Sequence, residues 1–353
     1  MSQGIFSKRL PGELKPNAMA ELLARKKPAF DLTESNPTVA GIEYPASIPP
    51  YQPEPFGLLS ARECIAREYG APVDRVVLTA STSEAYSWLF KLLCDPGDEV
   101  LVPRPSYPLF EYLAALESVK VSHYSLFYDH GWHIDFHTVR RTERTKAIVL
   151  VNPNNPTGHF LKRHEVPELV ALGLPIISDE VFRDYLIEPA ADGVQTLGSI
   201  EVDLVFTLNG LSKTVGLPQM KLGWMVASGA RAAEALHRLE IIADTYLSVG
   251  TPVQLALPEL LKMREPVQAQ IMARVKENLA FLRSTRLRVL NVEAGWYAVI
   301  VHDEDAAVTL LRDHGVLVQP GYFYDFEKAG YLVVSLLTRP EVFREGIRRL
   351  LRA

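Results

Sequence analysis

The sequence predicts an α/β fold, a mostly parallel sheet flanked by helices, followed by a smaller α+β module. Three observations predict it. Short, almost wholly apolar runs, Ala147-Ile148-Val149-Leu150-Val151, Pro175-Ile176-Ile177 and Leu204-Val205-Phe206, read as strands buried on both faces. Helical patterns separate them, the alternation a parallel sheet needs. Each run closes on polar residues, at Asn152, at Ser178-Asp179 and, through Thr207-Leu208, at the motif from Asn209 that carries Ser212-Lys213. Chemistry therefore gathers at the carboxyl ends of strands, where open α/β sheets bind ligands.

A length of 353 residues suits about two domains and a substantial core without crosslinks. The formal net charge of −5, from 37 basic and 42 acidic side chains, points to neither a nucleic-acid surface nor a polybasic membrane patch. Cys64 and Cys94 read as buried thiols of a reducing compartment rather than a disulfide. His130, His133 and His137 lie in a turn entering a strand, without metal-ligand spacing, and no metal is expected. Residues 1–10 lack an apolar core and no run approaches 18 apolar residues, so the expected location is cytoplasmic.

Taken in order, residues 18–25 suit a helix, and the prolines of 49–57 impose an extended arm that must lie against the body or a partner subunit. Residues 58–69 turn helical, 76–78 form a strand, and 85–94 read as a buried helix ended by Asp95-Pro96-Gly97. Strand, helix and strand follow over 99–103, 107–116 and 119–126. Beyond Trp224 long helices are expected over 230–245 and 267–283, with Pro252 and Pro266 interrupting the stretch between. Strands over 294–300, 316–318 and 331–335, with helices over 305–314 and 340–350, complete the smaller module.

The stretch from Asn209 to Trp224 organises the rest. Lys213, beside Ser212 and just past a strand end, is placed to meet a ligand, and such a lysine can form a Schiff base with a carbonyl, the chemistry pyridoxal phosphate requires. A solvated loop lysine is the plain alternative. The motifs Asn152-Pro153-Asn154-Asn155-Pro156-Thr157-Gly158, Ser178-Asp179-Glu180 and Ser212-Lys213 stand in the order and approximate spacing of one family. From Tyr51 to the C-terminal helix the chain resembles a fold-type I pyridoxal-phosphate enzyme of the class I/II aminotransferases.

The resemblance implies an aspartate-aminotransferase-like large domain with a seven-stranded sheet over 49–245. It also implies an N-terminal arm with part of the small domain over 1–48, and a C-terminal small α+β domain over 246–353. It implies pyridoxal 5'-phosphate as cofactor, with Lys213 as the Schiff-base lysine and Asp179 as the carboxylate at the pyridine nitrogen. Asn155 would donate to the phenolate oxygen and Tyr107 would stack on the ring. Ser81, Thr82 and Ser83, at a helix start that favours an anion, would cradle the phosphate with Ser212 and Lys221. Tyr51 would reach the phosphate of a neighbouring subunit, so a homodimer is expected. Read without the family, Asp179 could simply cap a helix and Tyr107 could be a core aromatic.

Several positions depart from the family pattern. A frequent glycine is Ser81, a frequent serine is Gly210, and a usual arginine is Lys221, which keeps the charge but lacks the bidentate fork. A common tyrosine is Phe182, which implies a higher Schiff-base pKa. The arginine that usually grips the substrate carboxylate aligns with Val333, leaving Arg339 as the nearest candidate, with Asn36 and Trp296 as further substrate contacts. Aromatic residues at 296–297 and 322–326 lean toward a hydrophobic or aromatic substrate. The expected activity is amino transfer between an L-amino acid and a 2-oxo acid. A lyase or decarboxylase on the same scaffold is the alternative, and a non-catalytic binding protein the remoter one.

Overall fold

The computed structural model describes residues 5–10, 15–26, 33, 36–40, 42–44, 49–188 and 191–352. Helix α1 (Ala18–Arg25), capped by the Asn17 side chain on the Ala20 N–H, buries none of its residues. Helix α2 (Leu59–Tyr69) stops at Gly70, whose φ of 59° lies in the left-handed region that glycine adopts freely. The large sheet then builds from β1 (Val76–Thr79), β2 (Glu99–Arg104), β3 (Lys120–Tyr128), β4 (Trp132–Asp135), β5 (Thr145–Val151), β6 (Ile176–Asp179), β7 (Val205–Gly210) and β8 (Gly223–Ser228). Their spatial order is β1-β8-β7-β6-β5-β2-β3-β4.

Strands β3, β2, β5, β6 and β7 run parallel, whereas β8 lies antiparallel between β7 and β1, and β4 folds back on β3. Among the described residues the sheet therefore has eight strands rather than the expected seven. The extra edge is the hairpin strand β4, entered at His130 with a φ of 55°. Helices cover both faces. Helix α3 (Thr82–Leu93) turns Ala85, Leu89 and Leu92 into one core with Ala235, Leu239 and Ile242 of α7 (Ala232–Tyr246). The shorter α4 (Phe110–Leu116) and α5 (Val166–Ala171) complete the β-α-β crossovers.

Helix α6 (Leu211–Thr214) leads to β8 and α7, and α8 (Thr251–Lys262) and α9 (Arg264–Arg283) follow. The chain does break near both prolines of the stretch between, and the structure adds a helix, α8, within it. Pro252 lies in the first turn of α8 and Pro266 in the first turn of α9, positions where an N–H has no helical partner, so each proline opens a helix. The smaller sheet has the order β11-β12-β10-β9, from β9 (Arg288–Val289), β10 (Tyr297–Val301), β11 (Gln319–Pro320) and β12 (Tyr331–Ser335). Helix α10 (Ala306–His314) precedes β11, and α11 (Pro340–Leu350) closes the chain. Residues 316–318, expected as a strand, lie just before β11, and pairing with β12 begins only at Gln319 opposite Val333. Leu317 is 77% exposed, so nothing covers the middle of that apolar triplet.

The two sheets are joined by a buried seam. Lys162 Nζ meets both carboxylate oxygens of Glu293 at 3.0 Å and the Trp132 carbonyl at 2.9 Å. Gly158, with φ +70°, lies so close to Ala294 that a Cβ there would come 2.6 Å from the Ala294 carbonyl oxygen. Among the described residues no helix is long and apolar enough to cross a membrane. Both cysteines are reduced, with Cys94 buried and Cys64 half-buried.

Candidate active site

Strand order brings the distant motifs together. Strands β5, β6 and β7 are parallel neighbours, with Val151 opposite Asp179 and Asp179 opposite Leu208. The Asn155 loop leaves β5, Asp179 ends β6, and Lys213 sits on α6 just past β7, all at one edge of the sheet. Because β8 is antiparallel, its first residue reaches the same edge: Gly223 pairs with both Gly210 and Thr79. A Cβ on Gly223 would come within 3.0 Å of the Ser81 backbone, so the glycine lets the start of β8 approach the start of α3. Ser81, Thr82, Ser83, Ser212 and Lys221 are thereby gathered at that edge, with Lys221 exposed in a left-handed turn at φ 48°.

Ser81 caps α3. Its backbone is extended at φ −170°, and its Oγ accepts the Glu84 N–H at 3.2 Å. The missing hydroxyl at Gly210 has a steric reason, since a Cβ there would lie 3.1 Å from the Gly223 Cα and the Leu222 carbonyl.

Lys213 is half-buried, with Nζ 5.3 Å from the Trp296 ring centroid and 5.7 Å from that of Phe182. Burial pulls its ammonium below the usual lysine range, opposed by the negative charge of Asp179. Asp179 itself is buried at 7% exposure, and that burial pushes its carboxyl up to about 6. The Val181 N–H at 3.2 Å, the Tyr86 hydroxyl at 3.1 Å and the charge of Lys213 hold it down. The turn-capping reading of Asp179 is thus realised by one oxygen alone, through Val181.

The Asn155 Oδ1 and the Trp296 Nε1 are buried without a hydrogen-bond partner among the described residues. Asn152 and Asn154, by contrast, are consumed in the scaffold: Asn152 bonds Val194 and Leu161, and Asn154 bonds Ser106, Pro105 and Thr157. Tyr107 is half-buried, edge-on to Phe110 at 6.0 Å, and burial raises its phenol pKa, with Asp179 adding to the effect.

Other expected residues lie differently. Asn36 is tied into the arm, donating to the Tyr51 carbonyl at 2.9 Å and accepting from the Thr38 N–H and hydroxyl. Tyr51 is 42% exposed. Arg339 is exposed before α11, and among the described residues its side chain makes no hydrogen bond or ion pair to the Lys213 cluster. Val333 is fully buried in β12. The histidines grouped by the fold are His133 and His164 with Glu165, rather than 130, 133 and 137. Glu165 is already engaged by the Ile134 and Lys162 N–H groups, each at 2.8 Å, and by His159 at 3.4 Å.

Two residues escaped the sequence reading. The Tyr86 hydroxyl binds Asp179, and the Tyr185 hydroxyl binds the Lys213 carbonyl. For Tyr86 the signal was a tyrosine among the buried apolar residues of a helix, whose O–H must find a partner; Tyr185, next to Arg183 and Asp184 in a loop, carried no such signal.

This sheet, its strand-end site and the attached antiparallel module form the aspartate-aminotransferase-like scaffold, fold type I of the pyridoxal-phosphate proteins. The chain belongs to the aminotransferase class I and II family, which residues 51–350 match. It is 29% identical over 327 residues to the glutamate-pyruvate aminotransferase AlaA of Haemophilus influenzae, covering 84% of this chain and 80% of that protein. The Escherichia coli protein of the same name is 33% identical over 220 residues, 58% of this chain and 54% of that one. Among solved structures, an alanine aminotransferase from Pyrococcus furiosus superposes with a TM-score of 0.77 at 26% identity, covering 86% and 83% of the two chains.

Proposed function

We propose that the chain is a pyridoxal-phosphate-dependent aminotransferase that moves an amino group between an L-amino acid, hydrophobic or aromatic in its side chain, and a 2-oxo acid. The observation that carries this reading is Lys213. Its amine is partly desolvated between Phe182 and Trp296, and it shares a site with the buried Asp179.

The residues present fit the cofactor. The Asn155 side chain makes no hydrogen bond among the described residues, so its Nδ2–H group suits a phenolate oxygen; Asp179 suits a protonated ring nitrogen, and Tyr107 a flat ring. The start of α3 suits a phosphate, with its unpaired N–H groups and the hydroxyls of Ser81, Thr82 and Ser83, supported by Ser212 and Lys221. Pyridoxal phosphate supplies an aldehyde for the substrate amine and an electron-accepting ring.

The protein supplies the proton handling. Burial favours the neutral amine of Lys213, which can take the proton from the substrate α-carbon and return it elsewhere. Asp179 as an anion would favour a proton on the ring nitrogen of the bound cofactor. Phe182, Trp296 and Tyr297 form aromatic walls, with ring pairs 5.3 and 6.3 Å apart. Trp296, beside Lys213, supports the substrate-contact reading best, with Arg339 the proposed partner of the substrate carboxylate and Asn36 a further proposed contact. We further propose a homodimer in which the exposed Tyr51 reaches a partner's phosphate site.

The test is the absorbance spectrum of protein loaded with pyridoxal phosphate, with each of the twenty amino acids added in turn. Conversion to the pyridoxamine form, reversed by a 2-oxo acid, is the expected result and names the donor. A band that persists while ammonia, carbon dioxide or a thiol is released would move the reading to a lyase or decarboxylase. Sedimentation of a cofactor-loaded monomer would remove the dimer.

A further inference from the structure

We propose that Tyr86 is a positioning residue for Asp179, fixing one carboxylate oxygen and keeping the group an oriented anion. This rests on the reading of the site as one for pyridoxal phosphate.

Asp179 needs such help. A carboxyl at the end of a fully buried strand loses its hydration, and desolvation alone favours the neutral acid. A neutral acid cannot sustain a proton on a ring nitrogen. Three groups oppose the desolvation: the Val181 N–H on Oδ1 at 3.2 Å, the Tyr86 hydroxyl on Oδ2 at 3.1 Å, and the charge of Lys213. Tyr107 also faces Asp179 electrostatically, from the loop after β2.

These supports differ in constancy. Lys213 is the proposed reacting amine, so its charge changes during turnover. The Tyr86 phenol does not change: burial, and then the neighbouring Asp179, place its own pKa well above the phenol range, so it always donates. Its ring is 1% exposed, edge-on to Phe110 at 5.3 Å and tilted against Phe90 at 6.0 Å. That packing fixes where the hydroxyl points. With one donor on each oxygen, rotation of the carboxylate is also restrained, which a single donor cannot do.

The test reads the carboxyl directly. In protein without cofactor, carrying 13C-carboxyl-labelled aspartate, the Asp179 resonance is assigned by its loss in Asp179→Asn and titrated by NMR. Tyr86→Phe is expected to raise its midpoint by about one pH unit, a tenfold change in proton affinity. Incorporation of 3-fluorotyrosine at 86, a stronger donor of similar shape, should lower it. Tyr124→Phe, which also removes a buried hydroxyl but one bound to the Val149 carbonyl at 2.8 Å, should leave it unmoved. In the loaded enzyme the acidic limb of kcat/KM should move upward with Tyr86→Phe. A midpoint unchanged by both substitutions at 86 overturns the role of Tyr86. A carboxyl that shifts as expected, in a protein that takes up no pyridoxal phosphate, overturns the cofactor reading and this role with it.

Discussion

Tyr185 donates its phenolic proton to the main-chain carbonyl of Lys213 at 2.5 Å, while its ring lies edge-on to Trp296 with centroids 4.8 Å apart. One side chain thus ties the loop after β6, the lysine-bearing turn and the aromatic wall together. Helix α6 has only four residues and cannot hold its own geometry. Tyr185→Phe should lower stability by about 1 kcal/mol in urea unfolding. With Lys213 less firmly held, kcat should fall about tenfold with KM nearly unchanged. A variant with wild-type kcat would show that α6 is held by other contacts.

Glu180 gives the protein a pH-dependent stability. Its carboxyl is fully buried, and burial pushes it up to about 7, against hydrogen bonds from the Leu197 N–H, Thr196 and Ser178 and the charge of Arg183. Because the folded value lies above the unfolded 4.5, the native state binds more protons between the two. Stability from this group is therefore highest below pH 4.5 and declines as pH rises through about 7, by about 3 kcal/mol at most. Glu180→Gln should gain about 1–3 kcal/mol on the wild type between pH 4.5 and pH 8 in urea unfolding. A constant difference between the two proteins would rule out titration of Glu180 in that window.

The Lys162–Glu293 pair is buried on both sides and joins residues 131 apart. Lys162→Met leaves a buried carboxylate uncompensated and should cost about 3–5 kcal/mol. The double variant Lys162→Met/Glu293→Leu should recover most of that loss, although Glu293 also accepts the Phe160 N–H at 3.3 Å. Thermal unfolding of the two variants checks both statements, and equal losses would place the cost in packing rather than charge.

Arg339 carries the prediction for substrate binding. It is exposed and uncommitted to an acid among the described residues, and Val333 presents no charge. As the proposed partner of a substrate carboxylate in a solvated position, Arg339→Ala should raise KM for the amino acid about tenfold while kcat stays within about twofold. Unchanged KM would remove Arg339 from the substrate site.

The centre of the candidate site was marked out in the sequence by three motifs that resemble one family and by strand ends, which are local signals. Asn155, Asp179 and Lys213 each follow an apolar run, and a buried parallel strand reads as such wherever it falls. What stayed hidden depends on contacts across long sequence separations. Tyr86 looks like any buried helix residue until β6, 93 positions away, brings Asp179 to its hydroxyl. Lys162 and Glu293 are ordinary charges until the seam closes on them. Residues 316–318 have strand-like composition, but only β12 decides where pairing begins, at Gln319. Pro252 and Pro266 were ambiguous for a different reason: a proline marks a helix boundary without saying which side the helix lies on.

The adjacency of β5, β6 and β7 has an implication for how such a site can diverge. Asn155, Asp179 and Lys213 hang from three neighbouring rails whose separation is the hydrogen-bond pitch of a sheet, about 4.8 Å. That pitch belongs to the backbone and no side-chain replacement alters it. Substitution at these stations changes which chemical group is offered, while the stations stay where they are. New specificities on this scaffold should therefore come from the walls, at Trp296, Tyr297 and the arm carrying Tyr51, with the three rails unmoved.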